Sequence, residues 1–266
     1  MKKLLAAVAL GALLAACSPA ASTDTTTTAA TDTAAATTVD LTSSVSATAP
    51  YIVAAIADTH RPADDRAQDA SRHPAETLAL AGIAPGQKVG ELLPGEGYFT
   101  RLLSSAVGPT GRVYAISRAA HDKYEHEVLP GVANVTNVIQ PYTTFHVAEP
   151  LDAVFTAKNY HDFKIDQYQM GDTNALDRAV FAALKPGGVY VIIDHVANAG
   201  TSEDQAHPLH RIDPAVVRRE VEAAGFVYDG DSSMLRNSAD PHTASVFDDS
   251  IKGHTDQFFM RFHKPA

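Results

Sequence analysis

Residues 88–100, KVGELLPGEGYFT, constrain the fold more than any other stretch of the chain. Their first half is an apolar run of strand length, and their second half puts Gly95 and Gly97 ahead of an amphipathic segment. Leu102, Leu103, Ala106 and Val107 then recur at helical spacing, which predicts a helix beginning at about Tyr98 and stopping at Gly108-Pro109. The unit is strand, glycine turn, helix. Glycine lets the backbone bend sharply and approach a ligand that a Cβ would repel, while the first helical amides offer unpaired donors to an electronegative group. Taken alone, such a turn can equally be tight packing of helix on sheet.

Further strands are expected at 112–116 (RVYAI), 135–139, 151–157 (LDAVFTA), 189–193 (VYVII), 226–228 and 256–263 (DQFFMRFH). Between them, Leu176, Ala179, Val180, Ala183 and Leu184 share one face of a helix over 173–184, which Lys185-Pro186-Gly187-Gly188 ends. Asp213-Pro214 opens another, with Asp at the N-cap and Pro at the first helical position. Residues 119–129, rich in His, Asp and Glu, read as an exposed helix. Residues 61–84 divide at Pro74. Asp64, Asp65, Arg66, Asp69 and Arg72 read as a solvated helix face, and 76–81 as a second helix packed on the sheet; the alternative is that the arginines close over a ligand as a lid.

Strands alternating with helices at this spacing predict an α/β fold, a doubly wound and mostly parallel sheet. In such sheets the ligand lies outside the carboxyl ends of the strands, where strand order reverses. That rule selects 91–98, Ser117-Arg118, 159–162 and Asp194-His195.

The ends of the chain carry a different kind of information. Lys2 and Lys3 precede an uncharged apolar run too short to span a bilayer comfortably, and the run ends Leu14-Ala15-Ala16-Cys17. This looks like a bacterial lipobox, so residues 1–17 are expected to be a lipoprotein signal with Cys17 as the lipidated residue. Cys17 is the only cysteine, which excludes an intramolecular disulfide. Residues 18–50 are almost entirely Thr, Ala and Ser, without a periodic apolar face, and are expected to be a disordered tether. Residues 51–266 are long enough for one α/β domain with a sizeable core. The formal charge of −10 and the lack of a basic stripe with interleaved aromatics argue against nucleic acid as a partner.

The succession GELLPGEGYFT, VYAI, DAVFTAKNYHD, LKPGGVYVIIDH, LHRID and EAAGF resembles the class I S-adenosylmethionine-dependent methyltransferases. More narrowly, it resembles a bacterial group of these that carries an Asn-Tyr-His-Asp motif and a final strand of TDQF type. The resemblance covers the chain from Arg61 to its end. It implies a seven-stranded sheet with an antiparallel last strand and the cofactor lying over the glycine turn. Glu91 then matches the acidic residue that opens the glycine motif, and Gly95 and Gly97 its later glycines, with Tyr98 beside them. Two positions depart from the pattern. Leu93 stands where the first glycine is usual, and Ser117 where an Asp or Glu grips both ribose hydroxyls. A serine cannot accept two charge-assisted bonds there, and losing one costs roughly 1.5–3 kcal/mol.

Asn159, Tyr160, His161 and Asp162 occupy the place where many methyltransferases orient the acceptor or the transferring methyl group. Asn159 is expected on the cofactor side, and Tyr160, His161 and Asp162 on the catalytic side, with His161 as a general base facing the crevice. Asp194-His195 and His210-Arg211 lie on neighbouring loops, so that with His161 and Asp162 two or three imidazoles and two carboxylates come near one crevice; these would also suit a divalent metal, but no close-spaced ligand pair such as His-x-x-x-His supports one and no metal is assigned. Three readings follow: a methyltransferase acting on a small molecule or envelope component, a non-catalytic small-ligand module on the same fold, and a His/Asp enzyme of another reaction class. The expected location is the cell envelope, anchored through Cys17 at the periplasmic side of an outer membrane. That location is in tension with a cofactor made in the cytoplasm.

Overall fold

The computed structural model describes residues 40–43, 45–118 and 127–266. The signal, Cys17, most of the tether and most of the charged segment 119–129 lie outside the described residues.

The sheet has seven strands in the order β3-β2-β1-β4-β5-β7-β6. These are β1 (Lys88–Leu92), β2 (Arg112–Ser117), β3 (Val135–Ile139), β4 (Leu151–Ala157), β5 (Leu184–His195), β6 (Val227–Ser232) and β7 (Gln257–His263). Strands β1 to β5 run parallel where they pair, whereas β7 is antiparallel to both neighbours, β5 and β6. The doubly wound sheet expected from the alternation of elements is therefore present, with its antiparallel final strand slotted inside the edge. Strand order reverses between β1 and β4, which sets the crevice at their carboxyl ends.

Each face of the sheet carries its own core. Successive residues of a strand point to opposite faces, so along β5 Tyr190 and Ile192 join one cluster while Val191 and Ile193 join the other. The first cluster is covered by α6 (Thr173–Ala183) and α8 (Pro214–Ala223) through Leu176, Val180, Val217 and Val221. The second is covered by α1 (Pro50–Ala57), α4 (Pro74–Leu80) and α5 (Tyr98–Val107) through Ile52, Leu78, Leu102 and Leu103. The cap expected at Asp213 is made, its side chain accepting from the Ala215 N–H at 2.9 Å, and Asp172, not read from the sequence, caps α6 by accepting from the Ala175 N–H at 3.0 Å.

Several local expectations are corrected. The tether expected to reach residue 50 ends sooner, because Leu41 donates its N–H to the Asp231 carbonyl at 2.9 Å and Leu41, Val45, Ala47 and Ala49 pack on the second core. Helix α1 then starts at Pro50, a residue suited to the first helical position. Strand β5 is longer than its apolar run, since Leu184 already pairs with Leu151 before the glycine turn and the ladder resumes at Val189. The charged stretch is a solvated face only in part, at the exposed Asp64 and Arg66. It forms two short helices, α2 (Ala63–Ala67) and α3 (Asp69–Arg72), and Arg61 and Asp65 are buried against the start of α5.

Candidate active site at the carboxyl ends of β1, β2, β4 and β5

The glycine turn leaves β1 through a run of left-handed residues: Leu93 at φ 49°, Gly95 at 55° and Gly97 at 83°. Leu93 thus adopts the conformation that the usual glycine would supply, at a cost of roughly 1–2 kcal/mol for a residue with a Cβ. Two hydrogen bonds hold it there. Its N–H donates to the Ile116 carbonyl at 3.1 Å, and its carbonyl accepts from the Asn159 side-chain amide at 3.1 Å. Asn159 therefore clamps the turn from β4. A Cβ added at Gly95 would meet nothing within 4 Å, so this glycine opens onto the crevice, whereas one at Gly97 would strike Leu129 at 2.9 Å.

Glu91 is buried at the end of β1 and accepts from the Thr100 hydroxyl at 2.6 Å. Burial pushes its pKa up to about 8, against the hydrogen bond and the nearby Arg72 and Arg101. Tyr98 is sealed by the preceding helices. Its hydroxyl donates to Asp69 at 2.7 Å, Asp69 takes a two-pronged ion pair from Arg61 at 2.6 and 2.9 Å, and the Arg72 guanidinium sits 4.3 Å from the Tyr98 ring centroid. Arg61 and Arg72 thus pack over the start of α5, through Asp69 and the Tyr98 ring. At the end of β2, Ser117 is 1% exposed and its buried Oγ has no hydrogen-bond partner among the described residues. Such an orphan is costly unless something completes it.

The loop after β4 begins at Lys158, whose backbone is also left-handed, at φ 64°. Burial, with Arg72 nearby, lowers the Lys158 pKa to about 8 even though Asp194 opposes the shift. Then follows a single 3-10 turn, Tyr160–Lys164. It splits the Asn-Tyr-His-Asp motif between two environments. Tyr160 faces the first core, fully buried, and its hydroxyl donates to Asp177 at 2.8 Å, with Glu220 at 3.2 Å. It is turned away from the crevice, which corrects its expected catalytic place.

His161 faces the other way. Asp194, at the end of β5, accepts the His161 N–H at 2.8 Å through one carboxylate oxygen and the His161 Nδ1–H at 2.7 Å through the other. Across the ring, His161 Nε2 lies 3.1 Å from Asp162 Oδ1 and 3.2 Å from His210 Nδ1. Burial alone would drive the His161 pKa down, but the Asp194 and Asp162 carboxylates outweigh it and hold the pKa at about 10. With Nδ1 bound to Asp194 and Nε2 facing Asp162, both ring nitrogens of His161 are engaged, and the two carboxylates favour the charged ring. Asp162 is held below the usual carboxylate range by His161 and His210 despite its own burial.

His195 is buried and accepts from or donates to the Thr255 hydroxyl at 2.7 Å; burial, with Lys158 near, keeps its pKa well below the ordinary histidine value. Arg211 is structural. Fully buried, it pairs with Asp240 at 2.9 Å and donates to the Val196 and Ala244 carbonyls, each at 3.0 Å. His210, left-handed at φ 51°, reaches the site because Ile212 bridges to Val196 and donates its N–H to the His195 carbonyl at 3.0 Å.

The structure thus gathers Glu91, Gly95, Ser117, Asn159, His161 and Asp162 around one crevice, and adds Arg72, Lys158, Asp194 and His210. Asp194 and His210 carried a sequence signal in their DH and LHRID contexts. Arg72 carried none, since a charged residue in a short helix gives no hint of the ring it will stack on.

The fold so defined is that of the class I S-adenosylmethionine-dependent methyltransferases. Solved structures sharing it include an S-adenosylmethionine-dependent methyltransferase from Aquifex aeolicus, with 18% identity, a TM-score of 0.52, and 77% of this chain and 99% of that chain covered. A candidate sarcosine dimethylglycine methyltransferase from Galdieria sulphuraria is similar, with 17% identity, a TM-score of 0.54, and coverage of 76% and 88%. So is phosphoethanolamine N-methyltransferase 2 from Haemonchus contortus in complex with S-adenosyl-L-methionine, with 14% identity, a TM-score of 0.50, and coverage of 82% and 60%. No family model and no curated protein matches the chain. At these identities the likeness establishes the fold.

Three features of this chain fit that cofactor. The unpartnered Ser117 hydroxyl stands where a ribose hydroxyl would complete it, Gly95 leaves open the space a Cβ would take, and Leu93 keeps the backbone path of the missing glycine.

Proposed function

We propose that the chain is an S-adenosylmethionine-dependent methyltransferase acting on a small-molecule or envelope acceptor, exported and anchored through lipid on Cys17. The observation that carries the reading is the seven-stranded sheet of methyltransferase order with its left-handed turn at Leu93, Gly95 and Gly97 after β1; beside it in the sheet, at the end of β2, the buried Ser117 hydroxyl has no hydrogen-bond partner among the described residues. When bound, the cofactor supplies an activated methyl group on a sulfonium. The chain's own residues shape the surroundings of that group. Asn159 fixes the turn, Ser117 hydrogen-bonds the ribose, and Arg72 and Lys158 place positive charge at the carboxyl ends of β1 and β4. On the acceptor side, Asp162, which keeps 18% side-chain exposure, accepts from the incoming hydroxyl or amine, and His161 behind it holds its carboxylate in place. The Cys17 reading rests on the lipobox-like LAAC and the polar tract that follows it.

The test is titration calorimetry of the full-chain protein in detergent with S-adenosylmethionine and S-adenosylhomocysteine. Saturable binding of both is expected, tightened in Ser117→Asp, which restores a charged ribose acceptor. Absence of binding by either overturns the reading. For the anchor, Cys17→Ser should lose palmitate label and leave the membrane fraction; a labelled, membrane-bound variant overturns it.

A further inference from the structure

His161, Asp162 and His210 bring two imidazole nitrogens and one carboxylate oxygen onto a single point, and we infer that this point is a binding site for a first-row divalent transition metal. The spacing is the first argument. His161 Nε2 to Asp162 Oδ1 is 3.1 Å, His161 Nε2 to His210 Nδ1 is 3.2 Å, and His210 Nδ1 to Asp162 Oδ1 is 3.6 Å. Ligand atoms that share an ion at about 2.1 Å, with angles between about 90° and 120°, lie about 3.0–3.6 Å apart. The three atoms that crowd round one proton in the metal-free chain are therefore spaced to surround one cation.

The support behind the ligands is the second argument. Asp194 takes the Nδ1–H of His161 at 2.7 Å and so fixes the ring with Nε2 aimed at the common point, the carboxylate–histidine–metal arrangement. His210 is held at a left-handed φ of 51° by the bridge between Ile212 and Val196, so backbone strain is maintained where its ring must turn inward. Phe247, 62% exposed, packs edge-on against the outer side of that ring at 4.7 Å between centroids.

The ligand types select the ion. Two imidazoles and one carboxylate suit Zn²⁺, Fe²⁺, Co²⁺ or Ni²⁺ over Mg²⁺ and Ca²⁺, which prefer all-oxygen shells. Among the described residues, three side chains supply ligands to this point, fewer than a four- to six-coordinate ion takes. Asp162 and His210 keep side-chain exposures of 18% and 13%, whereas Asp194 behind His161 is fully buried. An oxygen or nitrogen ligand could therefore exchange at the ion. The sequence offered these residues among several candidates, but with 49 residues between His161 and His210 only the fold shows that they meet.

The experiment is addition of Co²⁺ to metal-stripped full-chain protein, followed by visible d–d absorption and by elemental analysis after desalting. One equivalent should bind, with bands stronger than those of the hydrated ion. Asp162→Ala and His210→Ala should weaken binding at least tenfold, Asp194→Asn should weaken it 10- to 100-fold, and the exposed His146→Ala should not. His210→Cys keeps a ligand, so its cobalt complex should gain a sulfur-to-metal charge-transfer band absent from the parent. That result does not depend on the alanine variants folding. Cobalt binding no weaker in Asp162→Ala and His210→Ala than in His146→Ala, or a His210→Cys complex without the new band, overturns the inference. No cofactor enters any arm, so failure of the methyltransferase reading leaves this test intact.

Discussion

Asp194 grips His161 twice, through its backbone N–H at 2.8 Å and its ring Nδ1–H at 2.7 Å, and takes the His195 N–H at 2.7 Å besides. One fully buried carboxylate thereby joins the end of β5 to the turn after β4. Asp194→Asn turns an amide toward donors that need an acceptor. Its expected cost is about 1–3 kcal/mol in unfolding free energy, measured by urea denaturation. A loss below about 0.5 kcal/mol would show that the linkage does not carry stability.

Glu91 gives a pH signature. Its pKa is raised from 4.5 to about 8 by burial, so the folded chain holds a proton that the unfolded chain releases. The contribution is fully present below pH 4.5 and is lost as pH rises through 8. Glu91→Gln keeps an oxygen to accept from Thr100 without the ionisation. Its stability relative to the parent should be nearly unchanged at acid pH and should rise steadily across this window. Asp177, also raised to about 8, acts equally in both proteins and cancels from the difference. A difference independent of pH would refute the buried, protonated Glu91.

Gly95→Val should separate binding from folding. The new Cβ meets no atom within 4 Å, but the residue must hold a φ of 55°, which costs a β-branched side chain roughly 1–2 kcal/mol. Affinity for S-adenosylmethionine should fall at least tenfold by calorimetry while the melting transition stays cooperative. Parental affinity would place the cofactor elsewhere.

Tyr160→Phe should behave in the opposite way. Removing the hydroxyl strips a donor from Asp177 and from Glu220, which also takes Thr173 at 2.8 Å and Lys164 at 2.5 Å. A loss of about 1–3 kcal/mol in stability is expected, with cofactor affinity unchanged. Loss of affinity without loss of stability would return Tyr160 to the site.

Arg72→Met tests the closure over α5. It removes a guanidinium stacked 4.3 Å from the Tyr98 ring centroid while keeping much of the apolar contact. A cation over an aromatic ring is worth about 0.5–2 kcal/mol, so stability should fall by no more than this. Cofactor affinity should fall more, since Arg72 places charge beside the crevice. Unchanged affinity would make Arg72 a packing residue only.

The order of strands and helices, the glycine turn and the crevice residues Glu91, Gly95, Ser117, His161 and Asp162 were legible in the sequence, because periodic burial and turn chemistry act over a few neighbouring residues. The fate of the charged stretch 61–72 was not. A run of Asp and Arg looks solvated until Tyr98 supplies a buried hydroxyl and a ring face for Asp69 and Arg72. Local pattern also could not tell that one turn would send Tyr160 into the core and His161 toward Asp194, since a 3-10 turn points neighbouring side chains in different directions. Leu93 looked like the loss of a glycine, and only its hydrogen bonds, given to the Ile116 carbonyl and taken from the Asn159 amide, show its backbone held in the glycine's conformation. The meeting of His161 with His210 depended on the path of the chain from β5 through α7 (Glu203–Leu209) and back to the Val196–Ile212 bridge. Such long-range contacts are set by strand order and packing, which no window of sequence contains; the sequence by itself determined the elements and their ends, and the tertiary structure decided which ends meet.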